Sequence, residues 1–539
     1  MAENATAFRQ GNHPGYEETA WKGLEMSLDV LAERGIKVVI NGGSLNPTGL
    51  ARQVRDLAAQ KNLPLKVAYV SGDDLMSVLG PDLASLKDKI PPHLDSVNTD
   101  IKIHSPVLSF KSWSSVPLVS ANAYLGARAI VQGLRHGADI IICGRVADAS
   151  PVIGAAWYWH GWTDTDYDRL AGSLIAGHLI ECSAYVTGGN FAGFTEYAPQ
   201  MFVEPGFPRL DMTGKYSSFA TQNSTDETRV RVSGIRGAPP PPTTKVAIFY
   251  QGGFQSQILV NSTGYGTAQK YALLETQLRK KLKESKVDQM IDLLEFQIVG
   301  IPEANPRSQL ASTTYCRIFA EAKTAESLMG LLVSFSEISL QHFSGFHAAL
   351  DMRTAIPKPF LAMYPALYPQ DALHESVTFL DGTGTPQLQT IDAGHPPVYE
   401  RLEQRENYDT ASPTPLETFG PTKRLRLGSV ALARSGDKGS NLNVGFFVQT
   451  PKAFAWLRTF LSSARLKQLM GEDWLEEEYF LERVEFPGIL AVHFVVYGIL
   501  GRGVSSSSRL DALGKAFADF VRDRVVDVPV CLVKGQVKL

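Results

Sequence analysis

Three apolar segments near the start of the chain share one pattern. Each of them is followed directly by small or polar residues. The segments are 36–40, 65–70 and 139–143. Near-continuous apolar runs are typical of parallel strands that are covered on both faces. Amphipathic helical patterns lie around them, at 24–34, 50–60 and 123–136. This alternation predicts an α/β domain built on a mostly parallel, doubly wound sheet.

The pattern changes after Ser150, where turn-rich and strand-like stretches replace the regular alternation. A helix is predicted over about 166–185, ending at a glycine-rich turn. Four prolines at 239–242 cannot lie inside a helix or a central strand, and they lead into a strand at 245–250. Glycines at 252–253 are expected to close that strand. We expect this part of the chain to be a β-rich insertion in the first domain.

The chain is predicted to divide into two domains, 1–384 and 423–539. They are joined by a linker at 385–422 that is rich in Pro, Gly, Thr and Asp. In the second domain the patterns follow the order strand, strand, helix, strand, strand, helix, strand. Residues 433–441 are expected to be a loop, and the last helix is expected over about 510–520. This order predicts a small α+β sandwich with its helices on one side.

The charge balance argues against two classes of partner. The formal net charge is −3, and there is no basic block of the kind that binds nucleic acid. No basic amphipathic stretch suggests a membrane surface, and the longest apolar stretch is too short to cross a bilayer. We therefore expect a homo-oligomer that acts on a small molecule, with neither nucleic acid nor membrane as a partner.

The four cysteines, at 143, 182, 316 and 531, are far apart and form no C-x-x-C pair. Their spacing argues against a zinc site and against a disulfide framework. The polar N-terminus lacks the apolar core of a signal peptide, so a reducing, cytoplasmic setting is expected. The alternative is a peroxisomal one, because the last three residues, 537–539, resemble a weak peroxisomal address.

Polar and flexible residues follow the three predicted strands at the start of the chain. They are Asn41 and Gly42 after the first strand, Asp73 after the second, and Arg145 and Asp148 after the third. In an open parallel sheet, ligands bind beyond the carboxyl ends of the strands, where helix N-termini offer free N–H groups. Singly, such residues could merely cap helices or form turns. As a cluster they predict a ligand site.

His178 and Glu181 are three residues apart on a predicted helix and therefore share a face. Such a pair could do general acid–base work, although the histidine could equally make a polar contact at the helix end. The loop that follows, Gly188, Gly189 and Asn190, could cradle an anion. It is not a G-x-G-x-x-G motif, and the chain has no Walker A sequence. We predict no cofactor, and no spacing of ligand residues suggests a metal site.

A second candidate site lies in the predicted loop of the C-terminal domain, which holds Arg434, Asp437, Lys438 and Asn441 between two apolar strands. Its glycines give the backbone freedom, and the basic side chains could hold a carboxylate or a phosphate. The simpler interpretation is a charged hairpin tip in solvent. The density of functional groups favours a site or a contact between domains.

These motifs resemble the AtuA (acyclic terpene utilisation) family, and the resemblance covers most of the chain. It implies an N-terminal AtuA domain followed by a ferredoxin-like domain. Relatives usually carry an extra strand and a glycine-rich loop before the region that aligns here, and a longer segment where this chain has 208–229. The stretches that carry the resemblance are RGIKVVINGGSLNP, ANAYLGARAIVQGLRHGADIIICGRVADASPVIG, GHLIECSAYVTGGNFAGF, RVRVSGIRGAPPPPTTKVAI, ALARSGDKGSNLNVGFF and GRGVSSSSRLDALGKA.

The resemblance implies a role in the breakdown of branched, isoprenoid-derived acids as CoA thioesters. Hydratase or lyase chemistry beside a thioester needs an acid–base pair and donors that hold an oxyanion. Two alternatives stay open: a tailoring enzyme of a terpenoid or polyketide pathway, and a non-catalytic partner of an acyl-CoA enzyme. The candidate acids and bases are Asp73, Asp148, His178 and Glu181, and the candidate donors are Asn41, Arg145 and the backbone of 188–190.

Overall fold

The computed structural model describes residues 1–103, 105–212, 217–221, 230–380 and 389–533. Helices α1 to α10 of the N-terminal part are Ala5–Arg9, Glu18–Arg34, Pro47–Gln60, Met76–Leu79, Ser105–Leu108, Arg128–Arg135, Ser150–Trp159, Tyr167–Glu181, Thr267–Glu284 and Ala325–Glu337. Strands β1 to β14 are Val38–Ile40, Val67–Ser71, Leu118–Ala123, Ile140–Ile142, Pro208–Met212, Ser217–Thr221, Val230–Val232, Thr243–Thr263, Leu293–Val299, Thr313–Ala322, Phe346–Ala348, Lys358–Pro369, Ser376–Leu380 and Gln389–Asp392.

The first sheet has the strand order β1-β4-β2-β13-β14 and is mixed. The three apolar runs form β1, β4 and β2, which pair in parallel. Strand β13 then pairs antiparallel with β2, and β14 pairs antiparallel with β13. The predicted mostly parallel sheet is therefore not confirmed, because a hairpin from about 300 residues further along the chain extends it in the opposite direction.

Both faces of the parallel strands are covered, which explains why their sequences are apolar throughout. Successive side chains of a strand point to opposite faces. Ile140 and Ile142 pack on one side with Leu28 of α2 and Val54 of α3. Ile141 lies on the other side, in a core shared with α6 and the second sheet. The candidate strand ends are therefore held between two packed layers.

The second sheet is antiparallel and is organised around β8, which is 21 residues long. Strands β3 and β12 flank the first half of β8, and β10 and β11 flank the second half, with β9 beyond β10. The expectation that glycines at 252–253 close the strand is wrong, since β8 continues through them. The helix predicted from 123 starts at Arg128, because 118–123 is strand β3.

The remaining described strands of the N-terminal part, β5, β6 and β7, form a small antiparallel sheet. Residues 213–216 and 222–229, within the segment that the resemblance predicts to be shortened, lie outside the described residues. The VKL sequence at 537–539 lies outside them as well.

The C-terminal part forms a four-stranded antiparallel sheet, in the order β16-β17-β19-β18, and a two-stranded ladder of β15 and β20. Trp456 and Leu466 pack with Phe446 and Phe494 in one core. Helices α11 to α13 are Pro451–Phe460, Ser463–Met470 and Phe517–Asp523. Strands β15 to β20 are Thr422–Arg426, Leu432–Lys438, Asn441–Phe447, Phe480–Phe486, Ala491–Tyr497 and Val525–Pro529.

Two local predictions for this domain are wrong. The expected loop at 433–441 is mostly strand, since β16 and β17 form a hairpin with a tight turn at Gly439, whose φ is +70°. A positive φ is accessible to glycine at little cost, which allows so short a turn. The last helix is also shorter than expected, because 510–516 is not helical and α13 starts at Phe517.

The extended segment between the two domains is fastened to the C-terminal core. Arg483 of β18 is fully buried, and its guanidinium donates hydrogen bonds to the carbonyl oxygens of Tyr408, Arg458 and Leu461. It also forms an ion pair with the buried Glu485, with Nη2 2.9 Å from Oε1. Tyr408 donates its backbone N–H back to the carbonyl oxygen of Arg483. Arg483 thereby attaches the connecting segment to the sheet.

Arg483→Met should destabilise the protein by about 3 to 5 kcal/mol, because it leaves buried carbonyl groups and part of a buried charge without a partner. Urea unfolding followed by circular dichroism would measure this loss. Arg426→Met removes only an exposed ion pair with Asp523 and should leave the unfolding midpoint almost unchanged. Equal midpoints for the two variants would contradict the role given to Arg483.

Candidate functional site

The carboxyl ends of β1, β2 and β4 come together. The backbone N–H of Gly43 donates to the carbonyl oxygen of Cys143 at 3.0 Å. A β-carbon added at Gly144 would lie 2.9 Å from Oδ1 of Asp73 and 3.2 Å from the carbonyl oxygen of Ser44. Only glycine therefore fits at 144 without displacing a neighbour. Three segments that are distant in sequence contact one another here.

Asp73 is the buried centre of this cluster, with 6% of its surface exposed. Its Oδ2 accepts hydrogen bonds from Nδ2 of Asn122 at 2.9 Å and from the backbone N–H of Arg145 at 3.1 Å. Burial raises the pKa of Asp73 to about 6, and these two hydrogen bonds oppose the rise. A carboxyl group with such a pKa can accept or release a proton near neutral pH.

Arg145 is joined to Asp73 through its backbone, and its side chain adds a cation to the cluster at Tyr124. Its guanidinium lies 3.9 Å from the ring centre of Tyr124 and forms an ion pair with Asp148. Lys245 approaches the same ring, with Nζ 4.9 Å from its centre. The Nε atom of Arg145 is buried and has no hydrogen-bond partner among the described residues. Two cations held against one aromatic ring can attract a substrate anion or stabilise a developing oxyanion.

A second buried carboxyl group, Glu375, lies at the same edge of the first sheet. It accepts the backbone N–H of Ala129 at 2.8 Å, at the N-terminus of α6. Burial raises the pKa of Glu375, while the hydrogen bond from Ala129 and the charge of Arg128 lower it. Cys143 is fully buried, and burial followed by the nearby charges of Glu375 and Asp73 raises the pKa of its thiol. Cys143 is therefore a core residue and not a nucleophile.

The other predicted residues of the strand ends are placed differently. Asn41 is exposed, and within the described ranges no hydrogen bond of its side chain is present. Gly42 is buried against Ala20 of α2. The first strand therefore contributes Gly43 and Ser44 to the cluster, whereas the second and third contribute Asp73, Arg145 and Asp148 as charged groups.

His178 and Glu181 lie on the exposed side of α8. This helix packs on the strand ends at Gly177, where an added β-carbon would lie 2.6 Å from the β-carbon of Ala149. Glu181 accepts a hydrogen bond from the thiol of Cys182 at 3.1 Å. No contact among the described residues joins His178 or Glu181 to Asp73, so the helix borders the cluster without adding an acid–base group to it.

The loop of Gly188, Gly189 and Asn190 forms a turn after this helix. The backbone N–H of Gly189 is already used, because it donates to the carbonyl oxygen of Ala184 at 2.7 Å. Asn190 is exposed and has a φ of +56°. In the part of the chain that the structure describes, no hydrogen bond connects this loop to Asp73 or Arg145.

The hairpin of β16 and β17 approaches the same helix from the C-terminal domain. Arg434 lies 4.2 Å from the ring centre of Tyr185, and Nζ of Lys515 donates to the hydroxyl of Tyr185 at 2.9 Å. The charges of Arg434 and Lys438 lower the pKa of Cys182, against a larger rise caused by Glu181 and burial. These basic side chains thus surround the end of α8.

Asn441 and Asp437 lie on neighbouring pairs of the ladder, next to the turn of this hairpin. Asn441 joins the domains, since its Nδ2 donates to Oδ2 of Asp95 at 3.1 Å and its Oδ1 accepts the N–H of Gly498 at 3.1 Å. Asp437 is half-buried and pairs with Leu442 across the ladder. The hairpin tip is therefore a domain contact, which is one of the outcomes expected for it.

Three residues of the strand-end cluster were missed by the sequence analysis: Asn122, Tyr124 and Lys245. Asn122 lies near the end of β3, just before the stretch 123–136 that was predicted to be helical, and Lys245 lies inside β8. Their polar character within apolar segments was the available signal. Nothing local indicated that the second sheet would bring them to the end of the first.

The described ranges contain neither a metal centre nor a membrane-spanning helix. No group of three or more His, Cys, Asp or Glu side chains there could hold a metal ion. None of the helices within those ranges has the length and apolar character needed to cross a membrane.

A mixed α/β domain with a buried strand-end cluster, followed by a ferredoxin-like domain, defines the class of this protein. The family model of acyclic terpene utilisation family protein AtuA matches residues 1–226 and 218–379, and the AtuA ferredoxin-like domain matches 425–527. The chain therefore belongs to the AtuA family, and the resemblance seen in its motifs is confirmed. Membership places it in acyclic terpene utilisation. No curated protein and no solved structure matches the chain significantly.

Asp73→Asn should stabilise the protein at neutral pH and have little effect in acid. The pKa of Asp73 rises from 3.8 to about 6 on folding, so the native state holds its proton more tightly than the unfolded state does. Stability from this group is present below pH 3.8 and is lost as the pH rises through about 6.

The difference in the free energy of unfolding between Asp73→Asn and wild type should therefore increase by about 2 to 3 kcal/mol between roughly pH 4 and 8. Urea unfolding at a series of pH values would measure it. A gain that stays constant with pH would show that this carboxyl group does not titrate as stated.

Gly144→Ala should cost about 1 to 3 kcal/mol, because the new β-carbon overlaps the buried carboxylate of Asp73. Thermal unfolding would measure the cost. Gly23→Ala in α2 is the matched control, since no atom lies within 4 Å of an added β-carbon there, and it should stabilise slightly. A neutral effect of Gly144→Ala would mean that the strand ends are not closely packed.

Proposed function

We propose that this chain is a hydro-lyase that adds water to, or removes it from, the CoA thioester of a branched, isoprenoid-derived acid. The observation that carries the proposal is Asp73, a buried carboxyl group with a pKa of about 6 that accepts the backbone N–H of Arg145. The family's role in acyclic terpene utilisation supports this class of substrate. The four cysteines are free thiols, which fits the cytoplasmic setting that we propose for the reaction.

In the hydration direction, the Asp73 carboxylate accepts a proton from water as the water oxygen attacks the β-carbon of an α,β-unsaturated thioester. The double-bond electrons move to the thioester oxygen and form an enolate. Asp73 then returns its proton to the α-carbon, so one group serves as base and acid. A pKa near the working pH allows both transfers. Water is the only co-reactant, and dehydration follows the same steps in reverse.

The enolate oxygen needs a positive environment while the proton is in transit. Arg145 is suited to supply it, because its backbone N–H holds Asp73 while its guanidinium faces Tyr124. Asp148 pairs with this guanidinium and fixes its orientation. Lys245 adds a second cation beside the ring of Tyr124. In this proposal Asp148 positions Arg145 and does not exchange the substrate proton.

Purified protein should hydrate a 3-methylglutaconyl-type thioester, with loss of the absorbance of the conjugated bond. Asp73→Asn should lower kcat by about 100-fold to 10,000-fold, because the amide cannot accept the proton. Asp74→Asn is the matched control: Asp74 is exposed, and its side chain accepts the backbone N–H of Met76 at 2.9 Å. Its charge is the smallest of the causes that act on the pKa of Asp73. This variant should leave kcat close to the wild-type value.

Equal rates for the two variants would remove Asp73 from the mechanism. Binding without turnover would favour the non-catalytic partner of an acyl-CoA enzyme. Turnover of a different terpenoid or polyketide acid, found by profiling metabolites after deletion of the gene, would favour the tailoring enzyme.

A further inference from the structure

A cleft lies between the second sheet and the C-terminal domain, far along the chain from the strand-end cluster. The apolar face of β8, β9 and β10 packs on α9 and α10, so the opposite face of these strands is turned to the C-terminal domain. Two cavities of about 980 and 430 Å³ open there, and both are lined by Arg509 and Leu510. We call them together the interdomain cleft.

Arg317 of β10 lines this cleft as a cation without a counterion. Its Nη1 donates to Oε1 of Gln297 at 2.8 Å and to the carbonyl oxygen of Ser508 at 2.6 Å. Its Nε donates to Oε1 of Gln257, and its guanidinium stacks on the ring of Phe319 at 4.3 Å. Within the described ranges no carboxylate lies within 4 Å of Arg317.

The acceptors around Arg317 are neutral, so they fix the guanidinium without neutralising it. The nearest acidic influence comes from Glu295, whose charge raises the pKa of Arg317 against a larger lowering by burial. The carboxylate of Glu295 is already occupied, since it accepts from Nε2 of Gln297 at 2.7 Å and from the hydroxyl of Ser508 at 3.2 Å. A partly buried and rigid arginine without a paired carboxylate is suited to bind an anion.

Arg509 supplies a second cation at the point where the two cavities meet. Its Nη2 donates to the hydroxyl of Tyr479 at 3.0 Å, and its Nη1 lies 3.8 Å from Asp473 at the longer limit of an ion pair. The larger cavity is lined by apolar and by charged side chains. The apolar ones are Ile103, Leu293, Leu442, Leu475, Ile499 and Phe517, and the charged ones besides Arg509 are Lys102, Glu295, Asp473, Glu477, Glu478 and Asp511. The lining of the smaller cavity, which holds Arg317 and Arg509, contains no carboxylate among the described residues, so the charged head is placed there.

We propose that the interdomain cleft binds an amphipathic anion, with its carboxylate or phosphate head at Arg317 and Arg509 and its apolar chain in the larger cavity. The two cations select the charged head, and the apolar wall selects a chain instead of a small inorganic ion. This site is distinct from the strand-end cluster and does not depend on the reaction proposed there.

Isothermal titration calorimetry of the full chain with octanoate, octyl phosphate and octanol tests the proposal. At least one of the two anions should bind more than about tenfold more tightly than the alcohol, because only the anions satisfy the arginines. Stronger binding of octanoate would identify a carboxylate head, and stronger binding of octyl phosphate a phosphate head. Equal affinity for the alcohol, or no binding of any probe, would overturn the proposal.

Two variants separate ligand binding from the structural contact that Arg317 makes with Ser508. Arg317→Gln should weaken binding of the preferred anion by about tenfold or more. Leu510→Trp places a larger side chain where the two cavities meet and leaves the hydrogen-bond partners of Arg317 in place. It should abolish binding of the anion without changing the unfolding midpoint. Arg353→Gln, at an exposed arginine paired with Asp351, is the control and should bind as wild type does. Wild-type affinity in Leu510→Trp would contradict the assignment.

Discussion

The hydrogen bonds that join Asp73, at the end of the first sheet, to the second sheet are the contact on which the candidate site depends. Asp73 leaves the end of β2 and is joined to β3 through its backbone, since its carbonyl oxygen accepts the N–H of Ala123 at 2.8 Å. Its side chain joins Asn122 and Arg145. Removing a carboxylate from water is costly unless hydrogen bonds compensate, and here both donors are uncharged groups. Because the two hydrogen bonds compensate only in part for the burial, the pKa of Asp73 stays raised, and the group can exchange a proton near neutral pH.

Much of the first sheet was predictable, because parallel strands buried on both faces must be apolar throughout. The runs at 36–40, 65–70 and 139–143 therefore indicated β1, β2 and β4 correctly. The hairpin of β13 and β14 was not predictable from local pattern, since its register is set by pairing with β2 about 300 residues away. The ferredoxin-like domain was implied by the resemblance, and the strand and helix order read from the sequence agreed with it because those signals are local. Its first hairpin was missed, because polar residues in β16 resemble a loop.

Only part of the candidate site was predictable from the sequence. Neighbouring parallel strands end at one edge, so the closeness of Asp73, Arg145 and Asp148 follows from the sheet. The exposed position of Asn41 could not be deduced from the sheet. The residues that complete the cluster, Asn122 and Lys245, come from the antiparallel sheet. Which layer covers the end of a sheet is a tertiary property that no periodicity reports. For the same reason, no local pattern indicated that Arg317 would lack a counterion.

The hydrogen bonds of Arg483 show that the segment between the domains is held in place and is not a free linker. Its composition is that of a flexible tether, yet its backbone at Tyr408 is part of the hydrogen-bonding of the C-terminal core. Exchange of a domain between two copies of a chain requires a connection that detaches easily and reaches across. Here the connection is fixed from within a fully buried position. This chain is therefore poorly suited to form swapped dimers, and association of its copies has to use surfaces that are already folded.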